Sequence, residues 1–271
     1  MTSEPTLEIL ISTMNRKDLN FLKAIFTYHQ PIDFLILIVN QTKLNEDLVS
    51  DEDNIRVINS REFGLSKSRN LAIENSIGDI LVIADDDIEY LPNFKKTILE
   101  AYEKYNQASL ISFQYLDKHS ALSKIYTKKE GYIKHTKQYL SSVEMTFKAS
   151  HIQEHKLRFN VDFGLGAKFV CAEEQLLRHE VISRGLKVVF VGTPILIHKG
   201  KTSASDMGRP NLIRATTAYK YLVYKNWTYL WLIKYVFFLY RHKYISFFEQ
   251  PKAYKIGIKA INDIKSIEHE G

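Results

Sequence analysis

The chain alternates short apolar runs with amphipathic stretches. LEILIS (7–12), FLILIV (34–39), IRVINS (55–60), ILVI (80–83) and LISFQY (110–115) are brief runs rich in Ile, Leu and Val, the pattern of strands buried on both faces. Between the first two, LNFLKAIFTYH (19–29) repeats Leu19, Leu22, Ile25 and Phe26 at helical spacing and stops before Pro31. LSKSRNLAIENSI (65–77) sets Leu65, Ala72, Ile73 and Ile77 on one side with Gly78 as its stop, and LPNFKKTILEAYEKYNQ (91–107) predicts a helix with Pro92 in its first turn. Further on, AEEQLLRHEVISRG (172–185) reads as a helix closed by Gly185, followed by the strands LKVVFVG (186–192) and PILIH (194–198). Strands separated by helices of this length predict βαβ units: an α/β fold with a mainly parallel central sheet and helices on both faces. Residues 116–160 are polar and mixed in charge, with short strand candidates such as YLSSVEMTF (139–147). KGKTSASDMGRP (199–210) reads as a mobile loop of small residues.

Composition adds compartment and surface to this picture. At 271 residues and 45% hydrophobic content the chain is long enough for one large domain, or one domain with an appendage. The segment MTSEPTLEIL is polar and acidic, so no signal peptide is expected, and a single cysteine, Cys171, excludes an internal disulfide and fits the cytosol. The net charge of +6 is unevenly placed: residues 209–259 hold ten Lys or Arg and one acidic residue, Glu249, giving that span +9 and the remainder −3. Aromatics share the span. Thirteen of the thirty residues 219–248 are aromatic, and WTYLWLIKYVFFLYRHKY (227–244) is interrupted by Lys234, leaving no uncharged piece near the ~20 residues that cross a bilayer. Interleaved aromatic and cationic residues suit the headgroup region of an anionic membrane. Packing on the body of the protein, or on a second subunit of a homo-oligomer, is the other reading. No nucleic-acid motif accompanies these residues, so nucleic acid is not an expected partner.

Candidate chemistry begins at IADDDIEY (83–90), three consecutive carboxylates at the end of an apolar strand. In open α/β sheets ligands bind beyond the carboxyl ends of the strands. Strand alternation turns Asp85 and Asp87 to one side and Asp86 to the other, so two hard oxygen ligands converge and suit Mg²⁺ or Mn²⁺ shared with phosphates. For the triplet alone, a solvated acidic turn is the competing reading. Glu173 and Glu174 form a second pair at a helix start. There a negative charge complements the helix dipole, and a carboxylate is also a suitable general base. The glycines of the preceding GLGAKFVCA let backbone approach a ligand closely.

The ordered set ISTMNR (11–16), FGLSKSRNLAI (63–73), GDILVIADDDIEYLPNF (78–94), FGLGAKFVCAEEQLLRHEVISRGLKVVF (163–190) and ILIHKG (195–200) resembles the glycosyltransferase family 2 enzymes of the GT-A fold. Each piece is weak alone, and their order and spacing together are specific. The resemblance implies a catalytic domain over residues 1–205, with 206–271 as a basic, aromatic, helical C-terminal extension. It implies that Thr13, Asn15 and Arg16 lie beside the nucleotide base and ribose. Gly64, Arg69 and Asn70, in a Gly-x-Ser turn and the helix it opens, would hold the nucleotide end and orient the aspartates. Asp85 and Asp86 would belong to the nucleotide-sugar site, and Asp87, with Asp85 and His198, would ligate Mn²⁺ or Mg²⁺. VNQTK (39–43) departs from the family's usual Asp-Asp-Gly-Ser turn, so Asn40 or Gln41 stands where an aspartate accepts the uracil imide. An amide both donates and accepts. Glu174 aligns with the base that deprotonates the acceptor hydroxyl, Glu173 and Asp162 with acceptor contacts, and Lys199 and Lys201 with cations that neutralise the leaving diphosphate.

The activity so implied is an inverting transfer of a hexose or N-acetylhexosamine from a nucleotide sugar, UDP first, to a glycan or lipid-linked acceptor. Its setting would be bacterial surface polysaccharide synthesis, with the enzyme cytoplasmic and peripherally associated with the inner face of the cell membrane. Two other readings stand beside it. One is a non-catalytic, membrane-associated subunit of a polysaccharide assembly complex. The other is a sugar-nucleotide nucleotidyltransferase, which expects a Gly-rich phosphate loop after the first strand, and STMNRKDLN has no glycine.

Overall fold

The computed structural model describes residues 4–43, 46–134, 139–200 and 207–270. The chain forms two compact units, Met1–Phe159 with Leu177–Gly200, and Asn160–Leu176 with Lys201–Gly271.

In the first unit, β1 (Leu7–Met14), β2 (Leu35–Gln41), β3 (Ile55–Ser60) and β4 (Ile80–Asp85) lie parallel in the order β3-β2-β1-β4. The apolar runs of β1, β2 and β4 bury both faces, while β3, at the edge, is half-buried. Ile9, Ile11, Ile36, Ile38 and Val82 pack on one side with Phe94 and Ile98 of α3 (Phe94–Lys104). Leu10, Leu37 and Leu81 pack on the other with Ala72 and Ile73 of α2 (Leu65–Glu74), Ile152 of α4 (Ala149–Glu154), and Leu177 and Val181 of α5 (Glu173–Ser183). Helices therefore cover both faces, as the sequence pattern predicts. Beyond β4 the sheet is mixed. β8 (Met145–Lys148), drawn from YLSSVEMTF, joins β4 to β6 (Ala108–Leu116) and is antiparallel to both. The strands expected over 186–192 and 194–198 are one twelve-residue strand, β9 (Lys187–His198), parallel to β6. Pro194 sits where the β6–β9 register shifts, a position that tolerates a missing donor. On its other edge β9 pairs antiparallel with β5 (Ile88–Tyr90) and β7 (Gly131–Ile133).

Two expectations change. The helix foreseen over 19–29 is a single turn, α1 (Leu22–Ile25), because Phe21, Leu22, Ile25 and Phe26 already reach the core within that turn. Gly78 does not stop α2, which ends at Glu74. It passes against buried Glu8 of β1, whose carboxylate accepts hydrogen bonds from Arg56 Nη2 (2.6 Å), Ile77 N (2.6 Å) and Gly78 N (2.7 Å). A Cβ on Gly78 would lie 2.6 Å from Glu8 Cβ, so the glycine is a packing requirement.

The second unit is helical. α6 (Pro210–Tyr224), α7 (Thr228–Arg241) and α8 (Gln250–Glu270) enclose a core of Ile213, Ala218, Leu232, Leu239, Ala260 and Ile261, into which Phe163 and Phe169 stack at 4.8 Å. Gly257 lets α8 approach α7 closely, since a Cβ there would meet Leu232 Cδ1 at 2.5 Å. Among the described residues no helix is long and apolar enough to cross a membrane.

Candidate active site

Strand β4 runs apolar to Ala84 and releases its polar residues at the carboxyl end of the sheet, where Asp85 closes the strand and Asp86–Asp87 turn the chain into β5. Antiparallel pairing of β5 with β9 sets Ile88 opposite His198, which carries the histidine to the turn. The Lys199 N–H then donates to the Asp87 carbonyl (3.0 Å) and locks the two segments together. As a result one ligand atom from each of Asp85, Asp87 and His198 lies within 4.8 Å of the others, with His198 Nε2 3.4 Å from Asp87 Oδ1. Burial holds the Asp87 carboxyl above the usual carboxylate range; His198 opposes this, and Asp85 and Asp86 add to it.

These residues fit a divalent cation. The donor set is two hard oxygens and an imidazole, and His198 Nδ1 is buried with no hydrogen-bond partner among the described residues. The backbone also leaves room over Asp87, because a Cβ on Gly200 would fall 2.0 Å from Asp87 Oδ2 and 3.0 Å from His198 Cε1.

Asp86 faces elsewhere, as alternation predicts. Its Oδ2 accepts from Arg16 Nε (2.9 Å), Arg16 Nη2 (2.8 Å) and the Thr13 hydroxyl, and the Arg16 guanidinium rests on the Phe21 ring at 4.9 Å. Thr13 and Arg16 thus stand together at the end of β1, next to the aspartates. Asn15 occupies a left-handed conformation (φ 55°) in the turn between them. That turn is clamped by Asn40, whose Oδ1 accepts from Arg16 N (3.0 Å) and whose Nδ2 donates to Arg16 O (3.1 Å) and Asn59 Oδ1 (3.0 Å). Asn40 is fully buried, so the structure does not present it to a ligand. Gln41 is likewise buried and accepts the Gly64 N–H (2.6 Å) at the start of α2.

Arg69 of α2 is almost wholly buried, and its Nη2 donates to Asp85 Oδ1 (3.0 Å) and Ser142 Oγ (2.6 Å). That bond holds the carboxylate of the first aspartate in place. Asn70 does not reach the aspartates: its amide donates to Phe159 O (2.8 Å) and accepts from Phe159 N (2.8 Å). Lys199 pairs with Glu89 (2.7 Å), and Lys201 lies outside the described residues, as do residues 201–206 of the expected mobile loop.

Asp162, Glu173 and Glu174 belong to the second unit. The Asp162 carbonyl accepts from Phe169 N (2.8 Å) across a loop in which Gly164 and Gly166 have φ of 109° and 82°. Ala172 takes φ 84°, a conformation costly for a residue with a Cβ, and directly precedes the two glutamates. Both glutamates are buried in the first turn of α5. Burial pushes the Cys171 thiol up to about 12, and the charges of Glu173 and Glu174 act in the same direction.

Four contributors escaped the sequence reading. Ser142 was legible only as part of a capping-box pattern, Ser141 to Glu144, and that box is present. Glu144 pins the turn by accepting from Tyr126 OH (2.6 Å), Lys124 Nζ (2.7 Å) and Ser141 N (2.7 Å). Glu89 continues the alternation of Asp85 and Asp87. Gly200 carried no signal, since its role is the absence of a side chain.

The chain belongs to glycosyl transferase family 2, whose model matches residues 9–169. It is a glycosyltransferase with the GT-A fold. Among solved structures, S. aureus TarS 1–349 in complex with UDP-GlcNAc is similar at a TM-score of 0.60 and 12% identity, covering 96% of this chain and 80% of that one. The same fragment in complex with UDP gives 0.57 and 12% over 94% and 81%, and the longer TarS chain 0.57 and 14% over 96% and 48%. No curated protein matches the sequence.

Proposed function

We propose that this glycosyltransferase transfers a hexose or N-acetylhexosamine, with inversion, from a UDP-sugar to a glycan or lipid-linked acceptor of a bacterial surface polysaccharide. One observation carries the proposal: Asp85, Asp87 and His198 converge at the carboxyl end of the sheet in a family 2 chain. The TarS complexes with UDP-GlcNAc and UDP support the choice of donor. In this reading residues 1–205 carry the chemistry and 206–271 form the extension.

Asp85, Asp87 and His198 would hold Mn²⁺ or Mg²⁺, and the ion would supply positive charge against the diphosphate. Arg69 fixes the Asp85 carboxylate through its 3.0 Å bond, so one ligand enters the site already oriented. Arg16 neutralises Asp86, the Thr13 hydroxyl donates to the same oxygen, and together they keep it from competing for the cation. By the family pattern Glu174 is the general base. It removes the proton from the acceptor hydroxyl as that oxygen bonds to the anomeric carbon, while the bond from that carbon to the diphosphate oxygen breaks and its electron pair leaves with the nucleotide. Glu173 and Asp162 take the acceptor contacts.

The test is nucleotide release from UDP-sugars in the presence of Mn²⁺ and candidate acceptors. Wild type should turn over, and Glu174→Gln should lower kcat by about 10²-fold or more with donor binding intact. Equal kcat in the two proteins would remove Glu174 from the mechanism.

A further inference from the structure

α7 carries two faces of opposite purpose. Leu232, Val236 and Leu239 are buried in the core of the second unit, while Leu230, Ile233, Phe237 and Tyr240 are exposed. At about 100° per residue these exposed positions share one arc, and Lys234 and Arg241, also exposed, border it. The apolar surface continues past the helix end. The Tyr240 ring meets Phe247 at 5.9 Å, and Phe247 meets Phe248, itself 89% exposed, at 5.8 Å. A capping box between Ser246 and Glu249 fixes the turn that presents these two rings. The acidic group of that turn is directed to its own backbone, where Glu249 accepts the Ser246 N–H at 2.7 Å. Exposed Lys243 and Lys252 flank the same turn. The patch is therefore contiguous, aromatic and bordered by cations, and the carboxylate of exposed Glu249 is engaged by the backbone of its own turn.

We infer that this face, Leu230 to Phe248, docks the protein on an anionic lipid bilayer, with the rings of Phe237, Phe247 and Phe248 entering the headgroup boundary and Lys234, Arg241, Lys243 and Lys252 against lipid phosphates. Charge decides among occupants. In a symmetric pair of chains each patch would meet its own copy, setting like charges of one rim against those of the other. An anionic bilayer complements both the apolar centre and the cationic edge. The inference deepens the proposed function, since it rests on a lipid-linked acceptor for its purpose, although binding itself needs neither donor nor metal.

The test is co-sedimentation of the full chain with phosphatidylglycerol–phosphatidylcholine vesicles and with phosphatidylcholine vesicles alone. Binding should be at least tenfold stronger to the anionic vesicles, weaken in high salt, and shift the emission of exposed Trp227 to the blue. Phe237→Ser/Phe248→Ser and, separately, Lys234→Glu/Arg241→Glu should each lower binding tenfold or more while UDP calorimetry and circular dichroism stay as in wild type. No binding to anionic vesicles at low salt overturns the inference. So does a concentration-dependent dimer in sedimentation that Phe237→Ser/Phe248→Ser dissolves, which would assign the face to a second copy. Loss of UDP binding in wild type would instead indict the donor reading and leave the vesicle result standing.

Discussion

Gly200→Ala isolates the geometry of the cation site from its chemistry. Gly200 carries no ligand atom and no charge, yet a Cβ there would sit 2.0 Å from Asp87 Oδ2. Ordinary van der Waals contact is roughly 3.5 Å, so the carboxylate must retreat by about 1.5 Å. The backbone cannot give easily, because the Lys199 N–H holds the Asp87 carbonyl at 3.0 Å and the next residue, Ile88, is paired with His198. Relief comes from rotating the Asp87 side chain, which is inexpensive for folding and removes the ligand from its place. Disturbing the support of a metal ligand typically lowers affinity about 10–100-fold, equivalent to about 1.4–2.8 kcal/mol. The assay is Mn²⁺ titration followed by electron paramagnetic resonance, with thermal unfolding of the apo protein alongside. Gly200→Ala should bind Mn²⁺ 10–100-fold more weakly while its apo Tm stays within a few degrees of wild type. Wild-type Mn²⁺ affinity in Gly200→Ala would refute the assignment of Asp87 to the cation.

Three further outcomes follow from neighbouring contacts. Arg69→Met strands Asp85 and Ser142 and should destabilise the fold by about 2–3 kcal/mol in urea unfolding, whereas Ser142→Ala, losing one hydrogen bond, should cost about 1 kcal/mol. Gly78→Ala forces a Cβ against Glu8 Cβ and should lower stability by about 1–3 kcal/mol with Mn²⁺ binding unchanged, also read by urea unfolding. Cys171, its thiol pushed up to about 12 by burial, should resist alkylation at pH 8 until the protein is unfolded. Because its folded value is the raised one, this group's contribution to stability is complete below pH 9.0, the ordinary thiol value, and falls as pH climbs towards 12.

Much of the first unit was legible because its strands are local statements. LEILIS, FLILIV and ILVI bury both faces, and that need is written in their own residues. The aspartates were legible for the same reason, following an apolar strand and alternating across it. What escaped depends on partners far along the chain. Ser142 meets Arg69 across 73 positions, and Gly78 meets Glu8 across 70, so neither could be inferred from its own surroundings. Asn40 illustrates the converse. Its place at the end of β2 suggested a contact with the base, and the structure uses its amide to clamp the turn at Arg16. Gly200 is silent in sequence because its contribution is the volume it leaves empty.

The central claim, that Asp85, Asp87 and His198 hold a cation that holds a diphosphate, is tested most directly by calorimetry of UDP, GDP and ADP with and without Mn²⁺, on wild type and Asp87→Ala. The account predicts UDP binding that requires Mn²⁺ and disappears in Asp87→Ala. Absence of metal-dependent binding for all three nucleotides in the wild type would contradict it.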